Sequence, residues 1–266
     1  MTLYVVSTPI GNLGEFSDRA KTILSEADII LCEDTRRTRR LLTASGISAK
    51  LITCNSHNEV ARTQMVLETL MSGDTVALVS DAGAPAISDP GGRVVESVHR
   101  SGHPVRVVGG PSSITAALSV SGFPASPFHF LGFPPRKNGP RRKWLAEVSR
   151  FPGTLVVLES GQRVGGLISA MADCLPDREA CVCREMTKLH EEIIRGPIGL
   201  LPTGTMKGEV VLVVGPGQAV KSVEETPIGE GLSEIAKALA KRWNVGKADV
   251  YRQLIALESA KDDQSN

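Results

Sequence analysis

Short apolar runs recur along the first half of the chain with the spacing of alternating strands and helices. Leu3-Tyr4-Val5-Val6, Ile29-Ile30-Leu31-Cys32, Leu51-Ile52-Thr53-Cys54, Thr75-Val76-Ala77-Leu78-Val79 and Val105-Arg106-Val107-Val108 are near-continuous in apolar residues. Runs of this length predict strands buried on both faces. Between them lie segments of helical period at 17–25, 36–45, 59–71, 92–101 and 112–121. Ser17 stands where a cap is wanted, and Gly46, Gly73 and Gly102 stand where helices stop. Strand and helix alternating in this order predict a parallel sheet flanked by helices.

The rhythm breaks at Phe123-Pro124-Ala125-Ser126-Pro127 and again at Gly132-Phe133-Pro134-Pro135. Proline and glycine at this density predict a domain boundary. Beyond it, strands are expected at 155–158, 180–183, 191–195 and 209–214, with a helix at 162–173. Such strands suit a smaller antiparallel or mixed sheet. A linker at 225–231 then leads to helices at 232–243 and 248–259. The expected organisation is an α/β protein: a first α/β domain over 1–122, a second over 123–222 that includes a basic linker at 123–144, and a small helical segment over 223–266.

Composition narrows the class. Of 266 residues, 41% are hydrophobic and 22% charged, as in globular proteins, and no apolar run nears the roughly 18 residues of a membrane span. Met1 leads directly into an apolar run without the basic region of a signal peptide, so a cytoplasmic protein without a membrane partner is expected. Cys32, Cys54, Cys174, Cys181 and Cys183 are odd in number and scattered, which predicts reduced thiols. Cys181 and Cys183 share one face of a strand, but no second pair stands at ligand spacing, so no metal site is expected.

The net charge of +1 conceals two basic clusters. Glu33-Asp34 is followed by Arg36, Arg37, Arg39 and Arg40, and the boundary segment carries Arg136, Lys137, Arg141, Arg142 and Lys143. Guanidinium forks match phosphate geometry, so the pair of clusters points to an anionic polymer. The segment Val79 to Gly92, VSDAGAPAISDPGG, is longer than the usual connection of about 4–6 residues. Its glycines let a ligand approach the main chain and its prolines stiffen the loop. At the carboxyl end of a strand in an open sheet, such a loop is placed to bind a ligand.

Several motifs carry a resemblance. They are Ser7-Thr8-Pro9-Ile10-Gly11-Asn12-Leu13, Glu33-Asp34-Thr35-Arg36, His57-Asn58-Glu59, the Val79 to Gly92 segment, Gly109-Gly110-Pro111-Ser112-Ser113, Gly132-Phe133-Pro134-Pro135 and Lys207-Gly208-Glu209. From about Leu3 to Gly215, and in the C-terminal helices, the chain resembles the tetrapyrrole methylase superfamily and, within it, the bacterial methyltransferases of small-subunit ribosomal RNA. The resemblance implies two α/β domains with S-adenosylmethionine in the cleft between them. It implies as acceptor the 2′-hydroxyl of a cytidine in 16S rRNA, at the decoding centre of the small ribosomal subunit, and a homodimeric enzyme. Carried over by position, the donor site would comprise Pro9, Asp81, Ala82, Gly83, Ile87, Ser88, Ser112 and Ser113, with Leu158, Glu159, Met186 and Glu209 from the second domain.

Two departures from the wider superfamily bear on the substrate. Porphyrin-modifying members open with a G-x-G-P-G-D type loop where this chain has Ser7 to Asn12, which counts against a porphyrin. Gly109-Gly110-Pro111 also replaces the common proline-glycine order ahead of the serines. Arg36, Arg39, Arg40, Arg136, Lys137, Arg141 and Arg142 are the expected phosphate contacts, and Phe130 and Phe133 are expected as hydrophobic anchors of the linker, with stacking on a base as the alternative role. A ribose hydroxyl is a weak acid, so its proton needs an acceptor. The candidates are Glu33, Asp34, His57, Glu59, Glu185 and Lys188. For His57 the structural alternative is a loop contact, and for Glu33 and Asp34 it is pairing with Arg36 or Arg37. Other readings are a small-molecule methyltransferase on the same scaffold, a non-catalytic RNA-binding assembly factor, and metal-dependent phosphate chemistry through Asp81 and Asp89, which lacks His ligands.

Overall fold

The computed structural model describes residues 1–217, 236, 237, 240 and 246–262. The five apolar runs form β1 (Leu3–Val6), β2 (Ile29–Cys32), β3 (Leu51–Thr53), β4 (Val76–Leu78) and β5 (Val105–Val108). They make one parallel sheet in the order β3-β2-β4-β1-β5. Helices α1 (Asp18–Glu26), α2 (Thr35–Ala44), α3 (Glu59–Met71) and α4 (Gly92–Arg100) connect successive strands. Ser17 caps α1 by accepting from the Ala20 amide.

The two-residue period of the strands divides this core. Tyr4, Val6, Ile30, Cys32, Ala77 and Val79 meet Ala20 and Leu24 of α1 and Leu42 of α2. Leu3, Ile29, Leu31, Val76 and Leu78 meet Val66 and Leu70 of α3 and Val94 and Val98 of α4 on the opposite face. Both faces being covered is why the strands read as continuous apolar runs. β1 and β4 are neighbours, yet the chain leaves one toward α1 and the other toward α4, on opposite faces. A crevice therefore opens between their carboxyl ends.

The second sheet comprises β6 (Phe128–Phe130), β7 (Thr154–Ser160), β8 (Glu179–Arg184), β9 (Glu192–Pro197) and β10 (Glu209–Val214), in the order β6-β7-β10-β8-β9. Only the β6–β7 pairing is parallel, so the sheet is mixed as its short strands suggested. On one face, α6 (Asn138–Val148) and α7 (Gly161–Cys174) supply Leu145, Val148, Val164, Leu167, Ile168 and Met171 to the core. On the other lies α5 (Ser113–Ser121), whose Ala117 and Leu118 pack with Val156, Cys181, Cys183, Val211 and Val213. The helix that follows β5 thus serves the second sheet and joins the two halves.

The stretch expected as a basic linker, 123–144, is more ordered than its composition suggests. It contains β6 and the start of α6. β6 is only three residues long and is enclosed by prolines, so its pattern is too short to read. α6 turns Leu145 and Val148 inward and leaves Arg142 and Lys143 exposed. Residues 219–266 form a separate unit, in which α8 (Lys247–Asp262) is described and Val250 is buried with Ala236 and Ala240. The expected linker at 225–231 and most of the helix expected at 232–243 lie outside the described residues. Among the described residues no helix is long and apolar enough to cross a membrane.

The packing of α7 gives a direct test. A methyl group on Gly165 would meet the Thr203 carbonyl, whereas Gly166 one position along faces open space. Gly165→Ala should lower stability by at least about 1–3 kcal/mol through overpacking. Gly166→Ala should be neutral or stabilising by up to about 1 kcal/mol. Urea unfolding of the two variants measures the difference, and equal effects would contradict the close packing of α7.

Candidate functional site

The loop after β4 is fixed at both ends. Beyond the last sheet residues, the Thr8 amide donates to the Gly83 carbonyl at 2.9 Å and the Gly83 amide donates back to the Thr8 carbonyl at 3.0 Å. The Thr8 hydroxyl donates to the Ser80 carbonyl, and the Ser80 hydroxyl donates to that of Gly83. Asp81 Oδ1 accepts from the Asp34 amide at 3.1 Å, and its Oδ2 lies 3.4 Å from Arg37 Nη1. Asp34 in turn caps α2 by accepting from the Arg36 amide, and it pairs with the Arg36 guanidinium through both oxygens. Hydrogen bonds from Arg36 hold the Asp34 carboxyl down at about 2.

At the far end of the loop, the N-cap residue of α4 is Gly91, which has no side chain with which to cap. Glu59 of α3 fills that role, its Oε1 accepting from the amides of Gly91 and Arg93 at 2.9 and 3.0 Å. Between these anchors Ala86 and Ser88 adopt left-handed backbone at φ 62° and 63°. Each such residue costs about 1–2 kcal/mol. Non-glycine residues in this conformation cluster at functional sites, where the surroundings hold the strain.

A second loop, after β8, mirrors the first. Glu185 and Thr187 are left-handed at φ 49° and 66°. Lys188 Nζ donates to Glu185 Oε1 at 2.8 Å and to Glu209 Oε2 at 3.0 Å. The Lys188 hydrogen bond lowers the Glu185 carboxyl below its ordinary range. Gly208 sits at φ 90°, and a side chain there would strike the Glu185 carboxylate, which is the physical reason for glycine in Lys207-Gly208-Glu209. Lys188 also lies against Gly11 of the first domain. At the end of β7, Glu159 is 2% exposed. Its Oε1 accepts from the Ser160 amide and from Arg163, while its Oε2 is buried with no partner among the described residues. An orphaned acceptor costs about 1–3 kcal/mol, more if charged, unless a donor reaches it.

The two loops face one cavity of about 860 Å³, within the range of small-molecule sites. Of the residues expected in the donor site, Asp81, Ala82, Gly83, Ile87, Ser88, Ser112, Ser113, Leu158, Glu159, Met186 and Glu209 all line it. Pro9 does not, and its neighbour Ile10 takes that place. Four of the proton-acceptor candidates, Glu33, Asp34, Glu185 and Lys188, are also in the lining. His57 and Glu59 are not. The His57 amide donates to the Asn55 side chain within a turn, and the Glu59 carboxylate is occupied in capping α4.

The basic residues divide similarly. Arg36 lines the cavity and also, with Arg39 and Arg40, a shallow depression beside Thr43 and Ala44. Arg136, Lys137 and Arg142 are exposed around the start of α6, whereas Arg141 donates to the Pro135 carbonyl. Phe133 is 57% exposed and in the lining, while Phe130 packs into the core.

Sequence reasoning overlooked Arg163 and considered Asp89 only for metal-dependent chemistry; both are in the lining. Arg163, in the first turn of α7, pairs with Glu159 at the end of β7 across the strand–helix junction, a contact that no single-element spacing rule predicts. Asp89 stands among Ala, Ile, Pro and Gly, a setting that disfavours charge. Burial, then the Glu33 and Asp81 carboxylates, push its carboxyl up to about 6.

Seven carboxylates, those of Glu33, Asp34, Asp81, Asp89, Glu159, Glu185 and Glu209, face the cavity against the four cations Arg36, Arg37, Arg163 and Lys188. The acid excess suits a ligand of net positive charge. Small side chains at Ala82, Ser112 and Ser113 leave main-chain amides and hydroxyls within reach of hydroxyl or carboxylate groups.

Comparison with known proteins identifies the family. A family model described as Tetrapyrrole (Corrin/Porphyrin) Methylases matches residues 2–202. A ribosomal RNA small subunit methyltransferase I of Neisseria meningitidis is 42% identical, covering 90% of this chain and 82% of that protein. One of Halalkalibacterium halodurans is 41% identical, covering 94% of this chain and 93% of that protein. Among solved structures, the methyltransferase CobJ superposes with a TM-score of 0.60 at 18% identity, covering 80% of this chain and 93% of that one. Uroporphyrin-III C-methyltransferase of Thermus thermophilus, complexed with S-adenosyl homocysteine, superposes with a TM-score of 0.55 at 20% identity, covering 81% and 97%. At these identities the superpositions establish the fold. The chain belongs to the tetrapyrrole methylase family, in the branch formed by the ribosomal RNA small subunit methyltransferase I proteins.

Proposed function

We propose that the protein transfers a methyl group from S-adenosylmethionine to the 2′-hydroxyl of a cytidine in 16S rRNA, in the decoding centre of the small ribosomal subunit. The observation that carries this reading is the acid-rich cavity opening beside the arginine row of α2, in a chain more than 40% identical to ribosomal RNA small subunit methyltransferase I over most of both lengths. A cytoplasmic homodimer acting on the ribosomal subunit completes the proposal.

When bound, S-adenosylmethionine supplies an electrophilic methyl group on a positively charged sulfur. The residues present fit it. The carboxylate excess favours its net positive charge, the buried Glu159 Oε2 needs a donor such as an amine or hydroxyl, and the Ala82-Gly83 turn lets a ligand approach the backbone. Ser112 and Ser113, at the start of α5, present amides where the helix dipole favours an anionic group. Loops strained in advance at Ala86, Ser88, Glu185 and Thr187 need not reorganise as substrates bind. Aligning the hydroxyl with the methyl group in this way can be worth up to about 7–11 kcal/mol.

Arg39 and Arg40 are exposed and form no ion pair among the described residues, which leaves their forks available for phosphates. Arg36 belongs to both the arginine depression and the cavity, so a backbone tracked along α2 arrives at the cavity mouth. Arg136, Lys137, Arg141 and Arg142 provide a second basic surface.

Incubation with radiolabelled S-adenosylmethionine and small ribosomal subunits, naked rRNA or a porphyrin precursor tests the reaction. Label is expected in rRNA alone, as an alkali-resistant dinucleotide mapping to one cytidine. Label in the porphyrin precursor, or RNA binding without transfer, would overturn the reading. The double variant Arg39→Ala, Arg40→Ala should weaken rRNA binding and flatten its log–log salt dependence by about 1.4. Calorimetric affinity for the methyl donor should stay unchanged. Equal loss of both affinities would show that α2 is structural.

A further inference from the structure

We propose that Asp89 accepts the proton of the ribose hydroxyl, a role that rests on the 2′-O-methylation reading above. Of the seven carboxylates in the cavity, five have a hydrogen-bond or cation partner on at least one oxygen. Asp34 is held by Arg36, Asp81 by the Asp34 amide and Arg37, Glu159 by Arg163, and Glu185 and Glu209 by Lys188. Glu33 is exposed and feels the charge of Arg37. Asp89 alone has neither a hydrogen bond nor a nearby cation among the described residues. The charged groups that face it are Glu33, just after β2, and Asp81, in the turn after β4.

A proton acceptor needs a lone pair that no other group holds, a fixed position, and a pKa near the working pH. Asp89 meets each requirement. Its loop is set by Pro85 and Pro90, by left-handed Ser88 on one side and by Gly91, bonded to Glu59, on the other. Gly132 lies against the Ser88 hydroxyl, so the exposed Phe133 ring shares this part of the rim. Burial and the two facing acids bring the Asp89 carboxyl to about 6.

The step balances without a further reagent. A lone pair of the ribose oxygen forms the new bond to the methyl carbon, and the bond from that carbon to sulfur breaks with its electron pair kept by sulfur. The hydroxyl proton passes to an Asp89 Oδ while the O–H electron pair stays on oxygen. Asp89 then releases the proton to water after the product departs.

Asp89→Asn and Asp89→Glu test the role with small ribosomal subunits as substrate. The Asn variant should lose at least about 100-fold in kcat, with KM for the subunits and calorimetric donor affinity little changed. The Glu variant should recover part of the rate. Wild-type kcat should fall about tenfold per pH unit below about 6, and the residual activity of the Asn variant should lack that limb.

Stability gives a readout independent of turnover. The Asp89 carboxyl is raised from an ordinary 3.8 to about 6, so its charge opposes folding fully above that value and ceases to do so as pH falls toward 3.8. The Asn variant should melt above the wild type at pH 8, with the gap closing by pH 4. An Asn variant with wild-type kcat, one that keeps the acid limb, or one that melts below the wild type at pH 8 would overturn the assignment. Absence of transfer to rRNA by the wild type would instead overturn the reaction itself.

Discussion

The reciprocal hydrogen bonds between Thr8 and Gly83 hold the rest of the site in place. They extend the pairing of β1 and β4 past the last sheet residues, at the point where their connections leave for opposite faces. Without that join, the loop after β4 would be a long glycine- and proline-rich connection free to move. With it, Asp81 reaches the Asp34 amide and Arg37, and the start of α2 is tied to the turn. Glu59 closes the other end on α4. The arginine row and the cavity wall are therefore parts of one braced unit.

The second domain answers this unit with a loop built on the same principle. Left-handed Glu185 and Thr187, and Gly208 pressed against the Glu185 carboxylate, are conformations that only surrounding structure can hold. α5 supplies part of that structure by crossing from the first domain to pack on the second sheet. The folding energy that maintains strain in both loops shapes the cavity before any ligand arrives. Among the described residues its carboxylate excess is tempered by cations at every acid except Asp89, so one group retains the unpaired charge.

Much of the architecture was readable because it rests on local periodicity. The five parallel strands are near-continuous in apolar residues, and Ser17, Gly46, Gly73 and Gly102 mark helix ends. β6 was hidden by its length and by the flanking prolines, and the crossing of α5 depends on long-range packing that no local pattern encodes. The loop after β4 announced itself by composition, and its residues lie in the cavity together with Leu158, Glu159, Met186 and Glu209. Pro9 was one position from the lining residue, Ile10. His57 and Glu59 sit near the site in sequence, but their roles are set by turn and cap geometry. Asp89 was missed as a proton acceptor because its chemistry comes from Glu33, distant in sequence, from Asp81 across the same loop, and from the lack of a facing cation among the described residues, which only three dimensions reveal.

The central claim is that loops from both domains close on one ligand, the methyl donor. Hydrogen exchange with and without saturating S-adenosylhomocysteine, the demethylated product, tests it most directly. Amides at 80–91 and at 185–188 should slow together, while those on the outer face of α6 keep their rates. Slowing confined to one of the two loops, or to neither, would contradict the account.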